Sequence, residues 1–314
     1  MRIWLAGLLL GSGSPLDALD ASLKQPYLQS HYRYATLQHE LLGLLEYCGQ
    51  RAIPCVPLKG IWLAERVLPV PAMRQFADID VWVAEGDVDP LLAFNRGRGY
   101  QDLPGASRRR RWHFHVSQFK LVGGLPVVIE IHWKLSRGRL ETVDWQEPWG
   151  RIRKFEYSGV AAWEMEPLDQ AFYLYYHGAN HMFEDTKRLL DLCAVDAWLH
   201  QQVADPWPRI QELARRGRTE NFIQLSRTLI AVLMGKRAVS DLPGKWRRYV
   251  RFILAAALQN PPVPRPYCRR ILKFFLTDSP FQALRTLFSP SRLILKHGPA
   301  STAKRADGAG GDSQ

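Results

Sequence analysis

Cysteine is scarce in this chain: four residues in 314, Cys48, Cys55, Cys193 and Cys268, with no C-x-x-C pair among them. That excludes a thiolate zinc site and a disulfide framework, and it fits a reducing compartment. Long apolar runs are missing as well, since no segment reaches the ~18 uninterrupted apolar residues of a membrane-spanning helix. The opening "MRIWLAGLLLGSGS" has an arginine and an apolar stretch before small residues. Its basic region is thin, however, and Asp17 and Asp20 follow in a helical pattern, which argues against a cleaved signal and for a cytoplasmic protein. No internal repeat occurs. Acidic residues are in deficit: 30 Asp and Glu stand against 42 Lys and Arg, a net charge of +12. Such a surface attracts anions, among them nucleotides, nucleic acid, phosphosugars and acidic membranes.

What is present in quantity is core-forming material. Hydrophobic residues make up 46% of the chain, which excludes wholesale disorder. Residues 1–52 read as an N-terminal helical segment, with Leu37, Leu41, Leu44 and Leu45 at helical spacing and Gly49 as a stop. Then follow a short strand in "IPCVPLKG", a brief helix in "IWLAERVL", a strand in "DIDVWVA", and a helix in "GDVDPLLAFNRGRGY". The pattern "RRWHFHVSQFKLV", "GGLP", "VVIEIHWKL" alternates at period two across a glycine turn and predicts a β-hairpin. This alternation assigns residues 53–158 to an α+β core, a small mixed sheet with flanking helices. From 159 to 292 the periodicity is helical, and a helical domain is expected there. Residues 293–314 are small, polar and glycine-rich and predict a disordered tail.

Two aspartates interrupt the apolar strand "DIDVWVA". Side chains alternate across a strand, so Asp78 and Asp80 share one face, and Ile79, Val81 and Val83 share the other. Neighbouring carboxylates repel unless a cation lies between them, and oxygen-only ligation suits magnesium. Glu130, flanked by Ile129 and Ile131, is a third acid inside an apolar strand, with His132 on its face. Three acids on neighbouring strands suffice for two metal ions, of which one activates an attacking hydroxyl while the other grips phosphates.

The order of a glycine turn, D-x-D and a later lone acid resembles the polymerase-β type of nucleotidyltransferase. The closer resemblance is to bacterial nucleotidyltransferase family proteins of the NTP_transf_5 type, carried by "PLKGIWLAERVL", "MRQFADIDVWV", "GYQ" and "VIEIHW". In the helical half it is carried by "LYYHGANHM" and "RLLDLCAVDAW". The resemblance implies a polymerase-β-like core and Mg2+-dependent transfer of a nucleoside monophosphate from an NTP to an acceptor hydroxyl. It makes Asp78, Asp80 and Glu130 the catalytic metal ligands, Gly60 the turn whose backbone meets the phosphates, and Lys59 and Arg74 the triphosphate clamps. The serine that usually follows that glycine in the superfamily is replaced by Ile61.

Plainer readings stand beside these. Asp78 and Asp80 also read as solvated charges at a strand end, Glu130 as an edge-strand charge, and Lys59 as a solvated or snorkelling lysine. Arg74 has a simple partner in Asp78 or Asp80. His132 reads better as a residue supporting a ligand or packing than as a base. His177 and His181 stand at i and i+4, a metal-ligand spacing with no third ligand placed. They read as interface histidines or as contacts to the acceptor, while Arg188 and Asp191 read as an i, i+3 pair or as residues that tie helices together. Four arginines, Arg108, Arg109, Arg110 and Arg111, allow an RNA contact. The alternative to an enzyme is a binding protein that uses the same basic cleft for nucleotide, RNA or a partner without turnover.

Overall fold

The computed structural model describes residues 2–103, 114–135, 143–182, 188–259 and 276. Helix α1 (Arg2–Gly11) packs on the thirty-residue helix α2 (Ala21–Gln50) through a small cluster of Ala6, Leu19, Tyr27 and Ala72. The side chain of Asp20 accepts from the Ser22 amide, capping α2 at one of its unsatisfied N-terminal donors. The chain then lays down β1 (Val56–Leu58), α3 (Lys59–Arg66), β2 (Asp78–Trp82), α4 (Val88–Gly97), β3 (Gln101–Asp102), β4 (His115–Val122) and β5 (Leu125–His132).

These strands form one mixed sheet in the order β1-β2-β5-β4-β3. β2 runs parallel to β5, and the other pairs are antiparallel. The hairpin expected from period-two alternation is β4–β5. Its turn uses Gly123 at φ 54° and Gly124 at φ 80°, two consecutive left-handed residues of the kind a tight two-residue hairpin turn requires. The first helix begins earlier than the sequence reading placed it. β1 ends at Leu58 and α3 starts at Lys59, so Gly60 belongs to the helix rather than to the strand.

A second hairpin, β6 (Arg153–Tyr157) with β7 (Val160–Glu164), turns at Ser158 and Gly159, both left-handed, and the boundary expected at residue 158 falls in that turn. The sequence reading missed this hairpin, although alternation on both sides of an S-G pair was available as its signal. After the short α5 (Gln146–Trp149) and this hairpin, the remaining described elements are helices: α6 (Pro167–His181), α7 (Arg188–Gln202), α8 (Trp207–Arg216), α9 (Glu220–Leu233) and α10 (Gly244–Gln259). Pro167 and Pro206–Trp207–Pro208 open α6 and α8, where a missing or constrained N–H costs little.

The two faces of the sheet bury against different partners. Ile79, Val81, Val83, Val127, Ile129 and Ile131 join Leu37, Leu41, Leu44 and Leu45 of α2 and Leu91 of α4 in one apolar cluster. The opposite face contributes Leu58 and Trp82 to a cluster with Trp62 of α3 and the apolar residues of α6, α7 and α9. The side of β2 that bears the aspartates therefore looks toward the helical half. Among the described residues no helix is long and apolar enough to cross a membrane, and Cys48, Cys55 and Cys193 are free thiols. The Arg108–Arg111 run, Cys268 and the segment 293–314 lie outside the described residues.

Candidate active site

Strand register assembles the acids. In the parallel β2–β5 pair, Asp80 stands opposite Glu130 and Trp82 opposite His132, with Asp78 two residues before Asp80 on the same face. Asp80 is 1% exposed, as is His132. Two groups reach the same Asp80 oxygen: Lys59 Nζ at 2.5 Å and His132 Nε2 at 2.9 Å from Oδ1. His132 Nε2 is also 3.5 Å from Glu130 Oε2, and His115 Nε2 on β4 is 3.7 Å from Glu130 Oε1.

These surroundings treat the three carboxyls differently. Burial works against the charged form of Asp80, but Lys59 and His132 outweigh it and hold the carboxyl far below the usual carboxylate range. Burial works against the charged form of Glu130 as well, but the His132 contact, with His115 beside it, leaves it below its ordinary value. Asp78 goes the other way. Burial, joined by repulsion from Asp80 and Glu130, pushes it up to about 6. Lys59 and Arg74 act against this rise without cancelling it. Lys59 is disfavoured as an ammonium by burial, yet Asp80 overrides this and raises its pKa. Burial drives His115 down to about 4, so that ring is neutral at neutral pH.

Lys59 takes its position by an unusual backbone. At φ 51° it is left-handed, as the first residue of α3. The sequence reading put this turn at Gly60, where lack of a side chain would let the backbone approach a phosphate. The left-handed residue is Lys59, and Gly60 makes room for neighbouring side chains. A Cβ there would lie 2.4 Å from Arg74 Nη1 and 2.9 Å from Phe76 Cβ. Arg74 crosses this space to reach the helical half, where its Nε donates to Asp191 Oδ2 at 2.9 Å. The simple pairing of Arg74 with Asp78 or Asp80 thus gives way to a bond from Arg74 to α7.

Between α3 and the helices α6 and α7 lies a narrow pocket, lined by Lys59, Arg74, His177, Arg188 and Asp191 together with Leu63 and Leu174. The His177 and His181 rings lie 4.5 Å apart between centroids, tilted by 39° to one another. Burial, then His181 and Lys59, keep His177 well below the normal histidine range. His177 therefore lies in the cleft wall as a neutral ring. No third ligand joins the two histidines among the described residues; Asp191 is engaged by Arg74, and Asp185 lies outside those residues.

The sequence reading missed three residues. His115 lies directly across the hairpin from His132, which the alternation of "HFHVSQF" against "VIEIHW" could have shown. Asp191 had no local signal as the partner of Arg74. Tyr173 is fully buried on α6, its hydroxyl held protonated above the usual range by burial, with Lys59, Asp80 and Glu130 near enough to act on it.

The donor chemistry fits a hard divalent cation. Asp78, Asp80 and Glu130 offer only oxygens on one sheet face, and Asp78 is raised by burial first and then by repulsion from the other two, which a cation relieves. A mixed five-stranded sheet flanked by helices, with a D-x-D strand beside an acid-bearing strand and a basic cleft, defines a nucleotidyltransferase-like protein. The family model NTP_transf_5, described as uncharacterised nucleotidyltransferase, matches residues 10–235, and the chain belongs to that family. No curated protein and no solved structure matches it.

Proposed function

We propose that the protein transfers a nucleoside monophosphate from an NTP to an acceptor hydroxyl and releases pyrophosphate, with Asp78, Asp80 and Glu130 holding Mg2+, in this reading two ions. The observation that carries the proposal is the register of Asp80 against Glu130, which puts three carboxylates on the one sheet face that looks toward a basic cleft. Bound Mg2+ supplies Lewis-acid stabilisation of phosphate charge and makes the attacking hydroxyl more acidic.

The chain's own residues supply the rest. The first-turn amides of α3, beginning at Gly60, have no helical acceptor and no side-chain cap, so they are donors suited to phosphate oxygens. Lys59 and Arg74 bring positive charge to the same place, and Arg74 Nη1 is buried without a partner. The acceptor oxygen bonds to the α-phosphorus, and the α–β bridging P–O bond breaks with its electron pair leaving on pyrophosphate. The acceptor's proton passes to the Glu130 carboxylate, which its surroundings keep ionised. His177, neutral and in the cleft wall, faces the side from which an acceptor enters.

The test incubates the protein with Mg2+, NTPs labelled at the α-phosphate and a cell lysate. Transfer of label to one acceptor is expected, and its loss in a variant carrying Asp78→Asn and Asp80→Asn. Label at no acceptor with any NTP, beside magnesium-independent nucleotide binding, would establish the non-catalytic binding protein instead. An RNA acceptor or ligand remains among the outcomes that the labelled species identifies.

A further inference from the structure

The β4–β5 hairpin carries a second donor set that the proposed transfer does not require. His115, Glu130 and His132 each offer one ligand atom, and the three atoms lie within 4.8 Å of one another. They are gathered without bonding to each other. The His115–Glu130 and His132–Glu130 approaches of 3.7 and 3.5 Å are at or beyond the limit of a hydrogen bond. Those separations have another meaning. Ligand atoms on one tetrahedral ion, at bonds of about 2.1 Å, stand about 3.4 Å apart. The two separations run to different Glu130 oxygens, and with one atom per residue the set lies within 4.8 Å, so it closes on a cation by drawing inward.

The backbone holds this arrangement. His115 and His132 are direct cross-strand partners, and Glu130 lies two residues before His132 on the same face of a regular antiparallel pair. The two imidazoles lie 4.9 Å apart between centroids at an angle of 36°. Each ring keeps a buried Nδ1 with no hydrogen-bond partner. His132 Nε2 also lies 2.9 Å from Asp80 Oδ1, so a cation held by that nitrogen takes the place of this contact.

We propose that His115, Glu130 and His132 bind a divalent first-row transition metal, Zn2+ or Mn2+ in class, in preference to Mg2+. Two imidazole nitrogens and one carboxylate suit a borderline ion and leave a coordination position open, whereas magnesium prefers oxygen alone. Glu130 is shared with the carboxylate row, but the site does not depend on nucleotidyl transfer and is read by metal binding in the absence of nucleotide.

The experiment titrates Co2+ into the full chain without NTP and records its visible absorption. Nitrogen ligation in a low-coordinate site predicts bands much stronger than those of aqueous cobalt, lost on adding Zn2+ and retained in a large excess of Mg2+. His115→Gln and His132→Gln are each expected to weaken Co2+ binding by about 100-fold or more, since even residues that only support a ligand cost 10–100-fold. Asp78→Asn, which keeps both histidines and Glu130, should retain the bands. Circular dichroism checks folding; should the buried His132 variant unfold, the His115 variant carries the test. Absence of bands, bands unchanged in His115→Gln, or ready displacement by Mg2+ overturns the proposal. Loss of label transfer in Asp78→Asn with intact cobalt bands would leave this site standing, and missing bands beside normal transfer would remove it alone.

Discussion

Lys59 Nζ lies 2.5 Å from Asp80 Oδ1, deep under the helical half, and Lys59 holds this contact from a left-handed backbone at φ 51°. The ammonium supplies the positive charge that a buried carboxylate needs, and both groups stay ionised because of each other. Removing one partner of such a pair leaves an uncompensated buried charge, which costs about 3–5 kcal/mol. Lys59→Met should lower the thermal midpoint of the metal-free protein markedly, and Mg2+ should raise that midpoint more in the variant than in the wild type. Differential scanning calorimetry with and without Mg2+ checks this. Equal Mg2+ shifts in the two proteins would separate Lys59 from the cation site.

Asp78 makes the pH dependence specific. Its folded carboxyl titrates at about 6, above the ordinary 3.8, so between those values the folded state binds more protons than the unfolded one. Stability from this group is complete below about pH 4 and is lost as pH rises through 6. Asp78→Asn removes the repulsion and should stabilise the metal-free protein by about 1–3 kcal/mol above pH 7, with little effect at pH 4. Urea denaturation at the two pH values tests the sign. The same titration predicts that Mg2+ affinity falls as the medium is acidified below pH 6, because the proton and the cation compete for one carboxylate.

Gly60 and Arg74 are coupled by contact. A methyl at residue 60 meets Arg74 Nη1 at 2.4 Å and Phe76 Cβ at 2.9 Å, and the latter sits too near the backbone to move freely. Gly60→Ala is therefore expected to cost about 1–3 kcal/mol through overpacking. It should also displace Arg74 from the cleft and raise the KM for NTP more than it lowers kcat. Steady-state kinetics at saturating acceptor separate the two effects.

Glu40 offers a control away from the chemistry. At 3% exposure it accepts from Arg98 Nη2 at 2.7 Å, Tyr100 Oη at 3.0 Å and Lys120 Nζ at 3.1 Å, tying α2 to the end of α4 and to β4. Glu40→Ala should destabilise by about 3 kcal/mol, since three donors lose their acceptor. Activity per folded molecule at low temperature should be unchanged; a fall in kcat there would connect α2 to the cleft.

Local pattern carried a good deal of this molecule. Alternation alone puts Asp78 and Asp80 on one face of β2 and Ile79, Val81 and Val83 on the other, because successive side chains must point apart. The same rule, with two glycines able to turn left-handed, specifies the β4–β5 hairpin and the shared face of Glu130 and His132. Helical spacing marked α2 and the helices from α6 onward. None of this depends on distant partners, so it is written in short windows of sequence.

Long-range pairing settled the rest. Asp80 meets Glu130 because β2 docks parallel to β5, a register that no window around either residue contains. Arg74 turns from the acids to Asp191, 117 positions away, because α7 packs over the cleft and a buried carboxylate there needs a cation. Lys59 rather than Gly60 takes the left-handed turn, since its contact with Asp80 and the crowding of Arg74 and Phe76 against Gly60 act only once sheet and helices have met. Residue types and faces follow from the chain's own periodicity, whereas the pairing of charges follows from which buried groups the packed elements leave within reach of one another.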